Sequence, residues 1–364
     1  MMDALKMLSI APELDFVFEN DLLNGSSRDI KWSWACRVLE YGKYKLDKTS
    51  LLIKPKAGDL AVVQVDRVGH HSSIVTANNK KLRIYEGDLI VGVFGNRYAT
   101  DALEAEVLGL QDLSMLTAGG MIGTIKSINH EFGKPTPVSF VGFLNDNENK
   151  RVNSKELRFH RSYPKGHLKN LVIVVGTGMN AGKTTAARVL VRSLSHQGLK
   201  VAACKLTGSV SNRDQDELRS ASARSIVDFS DYGFPSTYLC TKEELLDLFS
   251  TMLADLENAD PDVVVMEIAD GILQRETALL LAEPSVKEKV KGFILAADSA
   301  PSALYATDKL RSMGHEVIAV SGKITSSPLF IREFQENSKI PVGSSLGSGK
   351  ELADIAMKFV DGNR

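Results

Sequence analysis

Cysteine is scarce: three residues in 364, Cys36, Cys204 and Cys240, lie far apart and form no C-x-x-C pair. That spacing excludes a disulfide framework or a structural zinc site as an organising feature. Cys204 and Cys240 each close a short apolar run and read as buried free thiols. No stretch of about 18 consecutive apolar residues occurs, so no membrane span is indicated. The segment Met1 to Phe16 carries Asp3, Glu13 and Asp15 and has no unbroken apolar stretch. It does not read as a secretory signal, and the expected location is the cytoplasm. A charge imbalance is missing too: 44 basic residues face 45 acidic ones, a formal net charge of −1. Nothing global pulls the chain toward nucleic acid or an anionic membrane, and neither is expected as a partner. The histidines, the His70-His71 pair included, lack metal-ligand spacing and receive no role. Internal repeats and low-complexity tracts are absent as well.

What is present is the composition of a soluble globular protein, 43% hydrophobic and 24% charged. The length exceeds one ordinary core, so two domains are expected. The halves differ in texture. Residues 1–165 are expected to form a β-rich domain. Its strands are Leu60–Val68, Ser73–Thr76, Leu82–Tyr85, Leu89–Phe94, Met121–Ile125 and Val138–Leu144, broken at Gly58-Asp59, Asn78-Asn79 and Gly87-Asp88. Short strands at close spacing point to a small barrel or sandwich. Ala4–Ile10 suits a short helix. Arg161–Asn170, with Pro164 and Gly166, is a connector.

Residues 170–364 then alternate strand and helix: Leu171–Val175, Lys183–His196, Val201–Leu206, Asp216–Val227, Lys242–Leu256 and Val263–Ile268. Phe293–Ala297, Ser302–Met313, Val317–Val320, Pro328–Glu336, Pro341–Val342 and Lys350–Val360 complete the series. This is the pattern of an α/β domain, a mostly parallel sheet with helices on both faces. In the helix from Lys242, Thr241 and Glu244 make a capping box. Leu245, Leu248, Phe249, Met252, Leu253 and Leu256 recur at helical spacing as a core stripe.

The segment richest in chemistry runs from Leu171 to Thr185. A buried strand enters a glycine-rich turn of Gly176, Thr177, Gly178, Met179, Asn180, Ala181 and Gly182. A helix then opens with Lys183, Thr184 and Thr185. Inward-pointing backbone N–H groups and the helix N-terminus make such a turn an anion nest. Lys183 would reach the β- and γ-phosphates of a nucleotide, and the Thr184 hydroxyl would ligate Mg²⁺. The strict pattern G-x-x-x-x-G-K-[ST] wants glycine where Thr177 stands.

The string Gly176-Thr-Gly-Met-Asn-Ala-Gly-Lys-Thr184 is similar to the variant loop G-T-x-T-x-x-G-K-T of dethiobiotin synthetases and their cobyrinic acid amidase relatives, with Met179 in place of the second Thr. Gly178 stands where the division-site and partition ATPases carry an early Lys. Lys200-Val-Ala-Ala-Cys-Lys205 resembles the second strand of the synthetase family, whose final Lys contacts phosphate and substrate. Val263-Val-Val-Met-Glu267-Ile-Ala-Asp270-Gly271 resembles its acidic strand end, V-E-G-A-G-G, where a carboxylate holds Mg²⁺. Asp214 or Asp216 would supply the remaining carboxylate near the metal, Asp214 being favoured. Here the chain has Arg213-Asp-Gln-Asp-Glu217 against the family's Ser-Asp-Ala. The resemblance implies ATP and Mg²⁺ as cofactors, catalytic roles for Lys183, Lys205 and Glu267, and a homodimer.

Residues 170–345 also resemble a group of P-loop proteins that share a domain of unknown function. Asp228–Tyr238, Glu267–Gln274 and Ser321–Pro328 carry that likeness. Some of the group are linked to N-acylation of D-glutamate with an acyl-CoA donor. The likeness does not extend to the first half of the chain.

Other residues keep two readings. Lys205 and Glu267 close apolar strands at the sheet edge where α/β proteins bind ligands. Asp270 binds substrate or caps its turn. Asp298 caps a helix or takes part in catalysis. Asn96 and Arg97 organise a turn or reach toward the nucleotide or an anionic substrate. Gly322-Lys323-Ile324-Thr325 occupies the place of the guanine-selecting N-K-x-D without its Asn or Asp, which favours ATP. The leading expectation is therefore an ATP- and Mg²⁺-dependent ligase or kinase, acting on a small carboxylate or amine metabolite under the β-rich domain. A CoA-dependent N-acyltransferase and a nucleotide-driven switch or metallochaperone are the alternatives.

Overall fold

A computed structural model describes residues 30–39, 44–49, 53–168 and 170–360. The helix expected at Ala4–Ile10 lies outside them. In the first half, five strands close into a ring. Leu60–Val65 pairs with Leu89–Phe94, which pairs with Met121–Ile128; that strand pairs with Leu113–Met115, which reaches Thr136–Asn145 and so returns to Leu60–Val65. Closure removes open edges. Alternation along each strand fills the inside: Ala61, Val63, Val65, Ile90, Phe94, Met115, Ile122 and Phe143 form one buried cluster. The outward residues Leu60, Val62, Val91 and Val93 are covered in turn by Trp32 and Trp34. The strands expected at Ser73–Thr76 and Leu82–Tyr85 appear as the hairpin Ser73–Val75 against Lys81–Arg83. Two short strands that the sequence does not announce, Arg97–Tyr98 and Leu103–Glu106, hang from Met121–Ile128.

The second half is a parallel sheet in the order 225–228, 201–205, 263–267, 171–176, 292–296, 317–321. Apolar residues on both faces of these strands demand cover on both sides. Ile173 and Val175 pack toward the Lys242–Glu257 helix and its neighbours. Val172 and Val174 pack toward Lys183–His196 and Lys350–Val360. After the strand Leu171–Gly176 the chain moves to one side of it, and after Val263–Glu267 it crosses to the other. The carboxyl end of Leu171–Gly176 is thus a topological switch point, where open α/β sheets bind ligands.

One expected element is replaced. The helix placed at Asp216–Val227 is instead Arg213–Ser220 followed by the edge strand Ser225–Asp228. Ser222, at φ 68°, breaks the helix, and parallel pairing beside Val201–Lys205 claims Ile226 and Val227. The strand expected at Pro341–Val342 reduces to a single bridge from Val342 to Val320. Short helices at Ser154–Arg158, Arg275–Ala282 and Pro284–Lys287 complete the picture.

The halves are tied together by polar contacts. Arg37 bonds Asp231 at 2.5 Å and Ser230 at 2.9 Å. Ser154 Oγ donates to the Gly233 carbonyl at 2.6 Å, and Lys155 pairs with Glu244. Tyr238 donates its hydroxyl to Glu104 at 2.8 Å. Among the described residues no helix is long and apolar enough to cross a membrane.

Candidate functional site

The strand Leu171–Gly176 is fully buried and delivers the glycine-rich turn to the carboxyl edge of the sheet. Gly182 takes φ 98°, and a side chain there would meet the Gly322 Cα at 2.9 Å, so the turn tolerates only glycine at this point. The helix Lys183–His196 starts at once. Among the described residues no protein acceptor takes the backbone N–H of Gly178, Met179, Asn180, Gly182, Lys183 or Thr184. Six free donors around one turn, at a helix N-terminus, are what an oligophosphate requires. Lys183 is buried and donates to the Gly178 carbonyl at 2.7 Å, so its ammonium lies over the same turn. Burial lowers its pKa, against the raising influence of Glu267 and Asp270.

Beside the turn stands a cluster contributed by three elements. Thr184 Oγ1 donates to Glu267 Oε1 at 3.1 Å. Lys205 Nζ lies 2.9 Å from Asp214 Oδ2 and 3.4 Å from Glu267 Oε1. Burial opposes the charge on Lys205, yet the two carboxylates outweigh it and hold its pKa above the ordinary value. Of the two aspartates left open by the sequence, Asp214 is the one in this cluster. Asp216 turns away to Asn79, Asn212 and Arg219. A hydroxyl and a strand-end carboxylate next to a phosphate nest suit Mg²⁺. That ion takes one or two protein oxygens and completes its shell with phosphate and water. Thr184 and Glu267 would hold it, with Asp214 adjacent through Lys205.

Neighbouring segments brace the turn. Thr177 Oγ1 donates to Asp298 at 3.2 Å, and Asp298 also accepts from Ser302 at 2.5 Å. Ser299 is the N-cap of the next helix, and Asp298 joins the phosphate loop to that helix's first turn. Lys323 N donates to the Ala181 carbonyl at 2.9 Å, which packs the Gly322–Ser326 turn against the phosphate loop. From the β-rich half, Asp101 accepts a hydrogen bond from the Asn180 side chain.

A cavity of about 290 Å³ opens between the two halves at this edge. Met179, Lys205 and Asp270 form its wall on the α/β side, and His71, Arg97 and Tyr98 on the other. Burial raises the Asp270 pKa against three cations, Lys183, Lys205 and Arg97. Among the described residues its carboxylate has no hydrogen-bond or ion-pair partner. Arg97 gives one nitrogen to the Leu116 carbonyl, while its Nε is buried without a partner. Burial brings the Arg97 pKa down to about 10. His71 Nε2 lies 3.1 Å from the same Leu116 oxygen. Burial, with the charge of Arg97, pushes the His71 pKa down to about 4, so the ring is neutral near pH 7. Asn96, by contrast, organises its own turn by accepting from Val107 N at 2.8 Å. Sequence spacing passes over His71, Asp101 and Tyr238. A test for metal-ligand spacing passes over a histidine that serves only as cavity wall, and nothing local shows that strands two and four residues long will meet the phosphate loop.

No family model matches the chain, and no curated protein matches it. Among solved structures it is similar to the signal recognition particle receptor FtsY from Elizabethkingia anophelis, at 18% identity and TM-score 0.35, over 57% of this chain and 75% of that one. FtsY from Mycoplasma mycoides gives 14% identity and TM-score 0.35, over 58% of this chain and 73% of that one. The kinase domain of the Escherichia coli tyrosine kinase ETK gives 16% identity and TM-score 0.32, over 43% and 67%. Likeness this low carries no inference. What marks the loop as a nucleotide-type P-loop is its own geometry: buried strand, free N–H groups, buried lysine, and threonine against a strand-end carboxylate.

Proposed function

We propose that the chain is an ATP- and Mg²⁺-dependent enzyme that phosphorylates, and so activates, a small carboxylate or amine metabolite. The observation that carries this reading is the shared wall: Met179 of the phosphate loop, Lys205 and Asp270 all line the cavity between the halves. A phosphate on the loop and a small molecule in the cavity would therefore be neighbours. Mg²⁺-ATP supplies the γ-phosphoryl group. The free N–H groups and Lys183 hold phosphate charge, and Thr184 and Glu267 hold the metal. Lys205, fixed by two carboxylates, adds positive charge where the transferred group becomes most anionic. Asp270, a carboxylate of raised pKa with no bonded partner, takes the proton of an attacking amine. The Gly322–Ser326 turn has no acidic side chain to select guanine, which supports ATP.

The test is ligand-dependent thermal stabilisation by ATP, GTP and acetyl-CoA, with and without Mg²⁺, in wild type and Lys183→Ala. A ligand at about 100 times its Kd adds roughly 2.7 kcal/mol. Stabilisation by Mg²⁺-ATP that disappears in Lys183→Ala is the expected outcome. Stabilisation by acetyl-CoA alone would replace phosphoryl transfer with acyl transfer.

A further inference from the structure

We propose that Arg97 selects the substrate by gripping a carboxylate that takes no part in the reaction. This deepens the function proposed above and rests on it for the reaction, though not for the binding. The guanidinium has five donors in a rigid fork, of which one nitrogen is committed to the Leu116 carbonyl. Arg97 lines the cavity, and its Nε is buried with no acceptor among the described residues. The edge formed by Nε and the remaining nitrogen matches the two oxygens of a planar carboxylate.

Charge decides between a carboxylate and a phosphate ester. Lys205 is already bound by Asp214 and Glu267. His71 is neutral near pH 7. Asp270, on the opposite wall, repels additional negative charge. Among the described lining residues, this leaves Arg97 as the cation with no carboxylate within ion-pair distance. One such cation balances a monoanion and leaves a dianion short. The remaining polar lining, including Thr117, Ser209, Ser211 and Thr237, is uncharged. At about 30 Å³ per water, the cavity has room for a molecule of roughly ten non-hydrogen atoms. Arg97 belongs to the β-rich half and the phosphate machinery to the other. The gripped carboxylate therefore sits away from the group that reacts.

The experiment measures thermal stabilisation of the full chain, with and without Mg²⁺-ATP. The ligands are short mono- and dicarboxylic acids, their methyl esters, and phosphomonoesters of equal length. Acids are expected to stabilise wild type where esters and phosphomonoesters do not. Arg97→Gln should weaken acid binding roughly thirtyfold or more, with the Mg²⁺-ATP shift unchanged as proof of folding. Arg97→Lys should recover only part of the loss, because the fork is gone. Should either variant fail to fold, discrimination of acid from ester by wild type decides. Equal response to acids and esters, tighter binding of phosphomonoesters, or acid binding untouched in Arg97→Gln would each overturn the assignment. If no acid stabilises while Mg²⁺-ATP does, the carboxylate site falls and the phosphate loop stands. Acid binding without any nucleotide effect leaves the Arg97 site intact and removes the proposed reaction.

Discussion

Glu267 receives two donors on one oxygen, the Thr184 hydroxyl at 3.1 Å and the Lys205 ammonium at 3.4 Å. Replacing it by Gln keeps the size and an acceptor but removes the charge. Glu267→Gln should leave nucleotide binding without metal largely intact. The Mg²⁺ concentration needed to strengthen that binding should rise roughly ten- to a hundredfold, as when groups that tune a metal site are lost. A Mg²⁺ titration at fixed ATP checks this; an unchanged midpoint would remove Glu267 from the metal site. Residues of this kind are legible in sequence because each closes an apolar strand, and strand ends in α/β sheets gather at one edge. Lys183 and Thr184 are legible for a second reason, since their chemistry is packed into ten consecutive positions. Arg97 is half legible: the turn shows, but its partner Leu116 and the burial of Nε depend on a barrel closed by distant strands.

At the scale of elements, the helix Lys242–Glu257 carries its start signal in full. Thr241 Oγ1 accepts from Glu244 N at 3.1 Å, and the Glu244 carboxylate accepts from Thr241 N at 2.9 Å. Thr241→Ala should cost about 1 kcal/mol in urea unfolding. Glu244→Ala should cost more, because the same carboxylate holds Lys155 from the Ser154–Arg158 helix of the first half. Equal losses would mean that this ion pair contributes nothing. Helices with a buried apolar stripe, such as Lys183–His196 and Lys350–Val360, are read from sequence to the residue. The region 213–228 is not. Its helical signal continues through Ala221 and Ala223, but pairing with Val201–Lys205 converts the last four residues to strand. Local preference there yields to the edge of a sheet assembled from distant segments.

Buried titrations of opposite sense are spread through the whole molecule, and Asp228 and His71 represent the two kinds. Asp228 is 3% exposed; burial and Asp231 raise its pKa to about 6, against the pull of Arg37. Its contribution to stability is complete when protonated, below the ordinary carboxylate pKa, and is lost as pH rises through about 6. The shift corresponds to something on the order of 3 kcal/mol. His71, lowered to about 4 by burial, Arg97 and His70, behaves the other way. Its contribution is complete above the ordinary imidazole pKa and is lost as pH falls toward 4. Across roughly pH 4 to 6 the two oppose each other. In His71→Gln, stability relative to wild type, measured by urea unfolding, should therefore rise as pH is lowered through that range. In Asp228→Asn the difference from wild type should fall over the same range. Parallel curves for the two variants would show that neither group titrates as its surroundings imply.

Three residues separate Arg97, which faces the cavity, from Asp101, which holds Asn180 of the phosphate loop. An arm that short would pass a displacement at one end to the other. Metabolite and nucleotide would then bind as linked events, each altering the other's affinity by the same factor. On that linkage the β-rich half would be more than a roof: occupancy of either chamber would register in the other.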